Sequence, residues 1–329
     1  MMSHSSCLLI LLDPDTYIYI VWAVLIVLSL VAVWVCCFSR HRWLKCILVA
    51  PLCLLWPFFL YGAYVGIGQL EVRHIELTFD DLPSAFDGYR IVQFSDAHVA
   101  TLTGSRCRIL ENAVDSINAQ QADMVVFTGD LQNKEPSEIE PFRELLSNIQ
   151  AADGVYSVMG NHDYPLYVKT DSCELERHIA QRRSEDDTLG WHLLVNSHCC
   201  IHRGADSIVI AGMDNDGDGK RFPQYGNIPL TLMDVGREAF VVMLEHDPSA
   251  WQRKILPQSH TQLTLSGHTH GGQVSLFGWS PADIAYTESR GLYAVDNRYI
   301  YVSAGLSGVV PFRIGTPPEI VVITLRKKK

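Results

Sequence analysis

Asp96 and His98 in SDAH, Asp130 in TGD, Asn161 and His162 in GNHD, His246 in EHDP, and His268 and His270 in GHTH each follow an apolar run. All are nitrogen or oxygen donors, and none is a thiolate. That mixture suits Mn, Fe or Zn in a reactive site better than a cysteine-rich structural zinc site. It holds too many imidazoles for a calcium or magnesium cage. It also exceeds what one tetrahedral ion needs, and a pair of ions sharing one carboxylate accounts for the surplus. Two adjacent ions lower the pKa of a water between them and clamp the oxygens of an in-line displacement at phosphorus. A single Asp or His after a strand is ordinary loop chemistry; five such segments in one chain are not. The other eight of the 13 histidines lack this placement.

The elements that must position these residues are legible as alternating patterns. EVRHIELTF, YRIVQFSD, DMVVFTGD and GVYSVMGNHD read as strands, the last three ending on the polar groups. Between them, RILENAVDSINAQ carries Ile109, Leu110, Ala113, Val114 and Ile117 at helical spacing, and EIEPFRELLSNI is helix-like. Open α/β sheets place their sites at the carboxyl ends of strands, where these residues stand. SIVIAGMD, AFVVMLEHDP and QLTLSGHTH continue the pattern, and GLYAVDNRYIYVSAG and PPEIVVITL are strand-rich with little helix. Gly129, Gly160, Gly267, Gly271 and Gly272 allow tight turns and close backbone approach beside the donors. An extended GHTH segment would put both rings on one face and turn Thr269 away.

The ordered set SDAH, TGD, GNHD, H and GHTHGG resembles the calcineurin-like metallophosphoesterase superfamily, and within it the small membrane-linked bacterial phosphoesterases. The likeness runs from about Glu71 to Leu325 and includes the tail VSAGLSG and PFRIGTPPEI. It implies an α/β fold, a four-layer α-β-β-α sandwich, and two divalent metal ions (Mn, Fe or Zn). It further implies that Asp96, His98 and His270 hold one ion and that Asn161, His246 and His268 hold the other. Asp130 would bridge them, and a bridging hydroxide would be the nucleophile. His162 would face the phosphate rather than bind metal. Many relatives carry an acidic residue three positions after the bridging aspartate to orient that histidine. Here Asn133 stands there; it can accept a hydrogen bond but brings no charge, and Asp163 is a candidate to compensate.

Weaker signals surround this set. DNDGD, Asp214 to Asp218, lacks the terminal Glu of an EF-hand loop and reads as a turn near the cleft. Glu245 and Asp247 flank His246 as outer groups, and Lys220, Arg221 and Arg313 are candidate anion contacts. The formal net charge is -10 with no long basic stripe, which argues against nucleic acid as the main partner. Nine cysteines without a CxxC give no zinc knuckle or redox dithiol.

The N-terminal part belongs to a different class. Tyr17 to Phe38 is a nearly charge-free apolar run long enough to cross a bilayer. SRHRWLK follows, then a second apolar run from Cys46 to about Ile67, interrupted by Pro51 and Pro57, which membrane helices tolerate. The first run starts too late and is too long for an ordinary signal peptide. The expected organisation is a flank at 1–16, a transmembrane helical hairpin at 17–67 with a basic loop at 39–45, and a catalytic domain at 71–329. Arg40, Arg42 and Lys45 keep the connection cytoplasmic. The catalytic domain then faces outward from the plasma membrane.

Together these point to a membrane-anchored phosphoesterase. Its substrate would be a phosphodiester, pyrophosphate or phosphomonoester, in a phosphorylated small molecule or a lipid of the cell envelope. The competing reading is a catalytically silent membrane scaffold or receptor that keeps the fold.

Overall fold

The computed structural model describes residues 13–168, 172–219 and 222–329. Two six-stranded mixed sheets face each other. The first runs β1 (Glu71–Phe79), β12 (Glu319–Lys327), β2 (Arg90–Phe94), β3 (Met124–Phe127), β4 (Val155–Ser157) and β5 (His192–Leu193). The second runs β10 (Gly291–Val295), β11 (Arg298–Val302), β9 (Leu263–Ser266), β8 (Phe240–Leu244), β7 (Asp206–Gly212) and β6 (Ser197–Arg203).

The layers follow from which side chains have both faces to bury. β3 and β8 are continuous apolar runs, and β2 and β9 are buried along almost all of their length, as expected of strands covered on both sides. Ile91, Met124, Val126, Val242, Leu244 and Leu265 fill the space between the sheets. Val92, Phe94, Val125 and Phe127 point the other way and pack against α3 (Cys107–Ala119), whose buried Ile109, Leu110, Ala113, Val114 and Ile117 are the stripe that its spacing predicts. Val241, Met243 and Trp251 form the outer layer of the second sheet. The result is the expected four-layer sandwich. β2, β3 and β4 are mutually parallel, as are β7, β8 and β9, so their carboxyl ends deliver the polar loops. The helix-like stretch after Asp130 divides into a 3₁₀ segment, Pro136–Phe142, and a short α4, Arg143–Ser147. An 18-residue α5, Ser172–Leu189, lies where the sequence gives no apolar stripe.

Before the sandwich stand α1 (Pro14–Phe38) and α2 (Arg42–Leu60), the latter extended by a wider turn at Tyr61–Val65. α1 starts before Tyr17 because Asp13 accepts from the Asp15 N–H and Pro14 opens the first turn. With 25 residues, α1 reaches about 37 Å at 1.5 Å per residue, more than the ~30 Å hydrocarbon core of a bilayer. Both helices leave large apolar side chains such as Val24, Leu30, Trp34 and Leu54 exposed. Edge-on packing of Trp22 against Trp56 and a Trp56 to Ser29 hydrogen bond of 3.0 Å join the pair.

The hairpin is fixed to the sandwich at both ends. Arg106, in the loop after His98, donates to Asp15 at 2.7 Å. The Arg313 N–H donates to the Gly62 carbonyl at 3.0 Å, and Phe312 stacks on Phe59.

Candidate metal centre

The strand ends bring the expected aspartates and histidines together. Asp96, His98 and His270 offer ligand atoms within 4.8 Å of one another, and so do Asp130, His246 and His268. His98, Asp130 and His162 make a third such group. Asp130 therefore lies between the sets. Its Oδ2 is 3.5 Å from His98 Nε2 and 3.2 Å from His246 Nε2, while Oδ1 accepts the His162 N–H at 2.7 Å.

Main-chain bonds lock the loops in place. The Asp96 and His98 N–H groups donate to the carbonyls of Gly129 and Asp130, and the His268 N–H reaches both Asp96 carboxylate oxygens at 3.1 Å. Asp96, His98, Asp130, His268 and His270 all have φ between 40° and 73°. Non-glycine residues pay of order 1–3 kcal/mol each for such conformations, which persist where the surroundings enforce them. GHTH is thus a tight turn and not an extended segment. Thr269 is buried, and its hydroxyl donates to the Ser289 carbonyl at 2.5 Å. Glycine is required at 129, where φ is 97° and a Cβ would lie 2.6 Å from His246 Nδ1.

The donors fit divalent metal ions on their own unmet valence. Both ring nitrogens of His98, Nδ1 of His270 and Oδ1 of Asn161 are buried without a hydrogen-bond partner. Such atoms are costly in an interior that offers them nothing to bind. Two rings are also held in a useful orientation. His246 Nδ1 meets the Thr128 carbonyl at 2.7 Å, which leaves Nε2 facing the cluster. His268 Nε2 meets the Tyr286 hydroxyl at 2.7 Å, which leaves Nδ1 facing His246. Outer hydrogen bonds of this kind fix the tautomer of metal-binding imidazoles.

Residues 89–272 match the calcineurin-like phosphoesterase family. The chain belongs to that family. It is similar to an uncharacterized metallophosphoesterase of Bacillus subtilis, 30% identical over 81% of this chain and 89% of that one. A counterpart in Aquifex aeolicus is 26% identical over 82% of this chain and 97% of that one. A zebrafish protein named as a transmembrane protein with a metallophosphoesterase domain is 28% identical over 81% of this chain, which spans 60% of its length. By class, then, the chain is a metal-dependent phosphoesterase.

In this phosphoesterase, burial governs the charges at the centre. It lowers the His98 pKa to about 3, with neighbouring imidazoles adding to the effect, and it lowers His268 and His270 as well. Neutral imidazole is the form that binds metal. Burial also raises Asp96, outweighing the charge of His246. For Asp130 and His246, burial opposes ionisation, but their mutual attraction wins and raises His246 to about 10.

The supporting residues act differently from their sequence expectation. His162 Nδ1 lies 2.6 Å from the main-chain carbonyl of Asn133, whose side-chain Oδ1 has no partner. Asp163 makes its hydrogen bonds elsewhere. It accepts from the N–H groups of Asp130, Leu131 and Gly160 at 2.8–3.1 Å, and from buried Arg182 at 2.7 Å. Arg313 is buried against the carbonyls of Ala304, Ser307 and Thr316, so its guanidinium clasps the tail loop. Lys220 and Arg221 lie outside the described residues. Asp216 pairs with Arg253 and Lys254, so the central aspartate of DNDGD already has its counter-charges. Asp247 faces His268 at 3.4 Å, whereas Glu245 binds the N–H groups of Asp216 and Asp247.

Sequence reading missed two tyrosines. The Tyr167 ring stacks on His162 at 4.1 Å, and its hydroxyl accepts from Asn161 Nδ2 at 2.8 Å. Oδ1 of the same amide is buried without a partner. Tyr286 holds His268. Neither follows a strand, so no pattern marked them.

Proposed function

We propose that this chain hydrolyses a phosphodiester, pyrophosphate or phosphomonoester bond at a two-metal centre, with residues 71–329 as the catalytic domain. The observation that carries the reading is Asp130 Oδ2 standing between His98 and His246, flanked by buried donors without partners. Asp96, His98 and His270 would hold one divalent ion; Asn161, His246 and His268 would hold the other; Asp130 would be shared. Two such ions supply an acidic water as nucleophile near neutral pH and neutralise phosphate oxygens.

The protein's own groups do the rest. His162 donates Nδ1–H to the Asn133 carbonyl, which leaves Nε2 free for the substrate. In its imidazolium form, Nε2–H hydrogen-bonds a phosphate oxygen or protonates the leaving oxygen. Tyr167 packs on the ring and restricts its rotation. A silent scaffold would gain nothing from orphaned donors in strained loops.

Stripping the full-length protein with a chelator should abolish hydrolysis of bis(p-nitrophenyl) phosphate and lower the Tm by roughly 10–20 °C. That range assumes ~2.7 kcal/mol per ion at a hundredfold excess over Kd and ~2–4 °C per kcal/mol. Mn²⁺ should restore both. Asp130→Asn should lose about 10²-fold or more in rate, with neither property recovered by Mn²⁺. Metal-loaded protein that cleaves no phosphoester of any kind would select the scaffold.

We further propose that α1 and α2 cross the plasma membrane with the basic segment at 39–45, which runs into the first turn of α2, inside and the catalytic domain outside. Arg40, Arg42 and Lys45 support that orientation. A reporter active only in the cytoplasm, fused after Lys329, should stay silent; activity would reverse the topology.

A further inference from the structure

The hairpin does more than precede the catalytic domain: it builds a cavity with it. A space of about 470 Å³ lies between the helices and the segment that follows His270. Leu25, Leu55 and Phe58 line it from the hairpin, and Val274, Val310 and Phe312 from the sandwich. Its volume falls in the range of about 300–1,000 Å³ typical of small-molecule sites. The sandwich wall is a built surface. Gln273 Nε2 donates to the carbonyls of Val310 and Phe312 at 2.7 and 3.0 Å, which ties the tail loop to the segment leaving the metal centre. Gly272, two residues after His270, belongs to the same wall.

Two observations name the occupant. First, the cavity is bounded by helices whose outward faces are apolar and exposed, so with the hairpin in a bilayer the medium beside it is hydrocarbon. Second, the chain leaves Val274 for a tight turn in which Leu276 pairs with Trp279, and Leu276, Phe277 and Trp279 are all exposed, Phe277 completely. Aromatic side chains on such a tip favour the membrane–water interface. The wall of the cavity and the adjoining tip therefore both face lipid, and both continue the loop that carries His268 and His270.

We propose that the cavity receives an acyl chain of a membrane lipid whose phosphoester lies at the metal centre. The substrate class is thus a lipid phosphoester drawn from the bilayer. The inference rests on the hydrolytic and membrane-spanning readings above, and it is tested by a binding measurement that needs no turnover.

Full-length protein in nanodiscs is irradiated with phosphatidylglycerol bearing a diazirine at the end of one acyl chain. Adducts should map to the peptides containing Gly272–Val274 and Val310–Phe312. Val310→Trp and Leu55→Trp, which fill the cavity from opposite walls, should each reduce those adducts fivefold or more and leave adducts near Leu30 unchanged. No adducts on the sandwich wall, or equal adducts in both variants, would overturn the proposal. So would wall adducts that form only after residues 1–12 are removed, since the chain's own apolar start would then be the occupant.

Turnover is read with alkyl p-nitrophenyl phosphodiesters from methyl to dodecyl. Val310→Trp should cleave the methyl ester within twofold of wild type and the dodecyl ester with at least tenfold lower kcat/KM. Partition of substrate into the bilayer is the same for both proteins and cancels. Equal ratios along the series would overturn the proposal. A wild-type protein that leaves even the methyl ester intact would strike the hydrolytic reading, and the adduct map would still decide the cavity.

Discussion

Exchanging His162 for Gln lowers kcat by about 10²–10⁴-fold, the usual contribution of a positioned acid or base, and leaves the metal content of the purified protein unchanged. The expectation follows from where the ring is held. Nδ1 is committed to the Asn133 carbonyl, one face is covered by Tyr167, and Nε2 remains for the substrate. His162 also lies within ligand distance of His98 and Asp130. Metal analysis beside the kinetics therefore separates two roles. Loss of an ion along with activity would make His162 a ligand and refute its role at the leaving group.

The second large effect lies outside the cluster. Arg182→Met should lower stability by about 3–5 kcal/mol, the cost of leaving a buried charge without its partner. For a domain of this size that corresponds to a Tm lower by roughly 6–20 °C. Arg182 is fully buried, donates to Asp163 at 2.7 Å, and also pairs with Asp186. Asp163 in turn holds the N–H groups of Asp130, Leu131 and Gly160. Removing the guanidinium leaves two buried carboxylates uncompensated and loosens the loop that presents Asp130. A thermal melt indistinguishable from wild type would show that neither carboxylate depends on Arg182.

The metal donors were legible because parallel strands announce themselves. β2, β3, β8 and β9 are short, largely apolar strands, each followed within a few residues by a candidate donor. The helix α3 was legible for the same reason, from its apolar stripe. By contrast, α5 hides its function: the face it buries carries Arg182, Glu185 and Asp186, so apolar periodicity is absent. The insertion of β12 between β1 and β2 joins residues about 230–250 apart, and no local pattern encodes that pairing. Asn133 was marked by its position, yet it acts through a main-chain carbonyl, which any residue there would supply. Asp163 was marked by its neighbour His162 but serves the backbone of Asp130.

The attachment of the hairpin has a consequence for how substrate is encountered. A flexible linker of n residues would let a catalytic head roam over about 5–6 Å × √n. Here Asp15 is tied to Arg106, Gly62 to Arg313, and β1 begins at Glu71, soon after α2 and its terminal turns. No slack chain separates anchor from active site. With the helices embedded, the phosphoesterase cannot lean out to sample the aqueous phase or swing toward a distant surface. So embedded, it would travel by lateral diffusion, and the substrate density that matters to it would be counted in molecules per unit area of membrane.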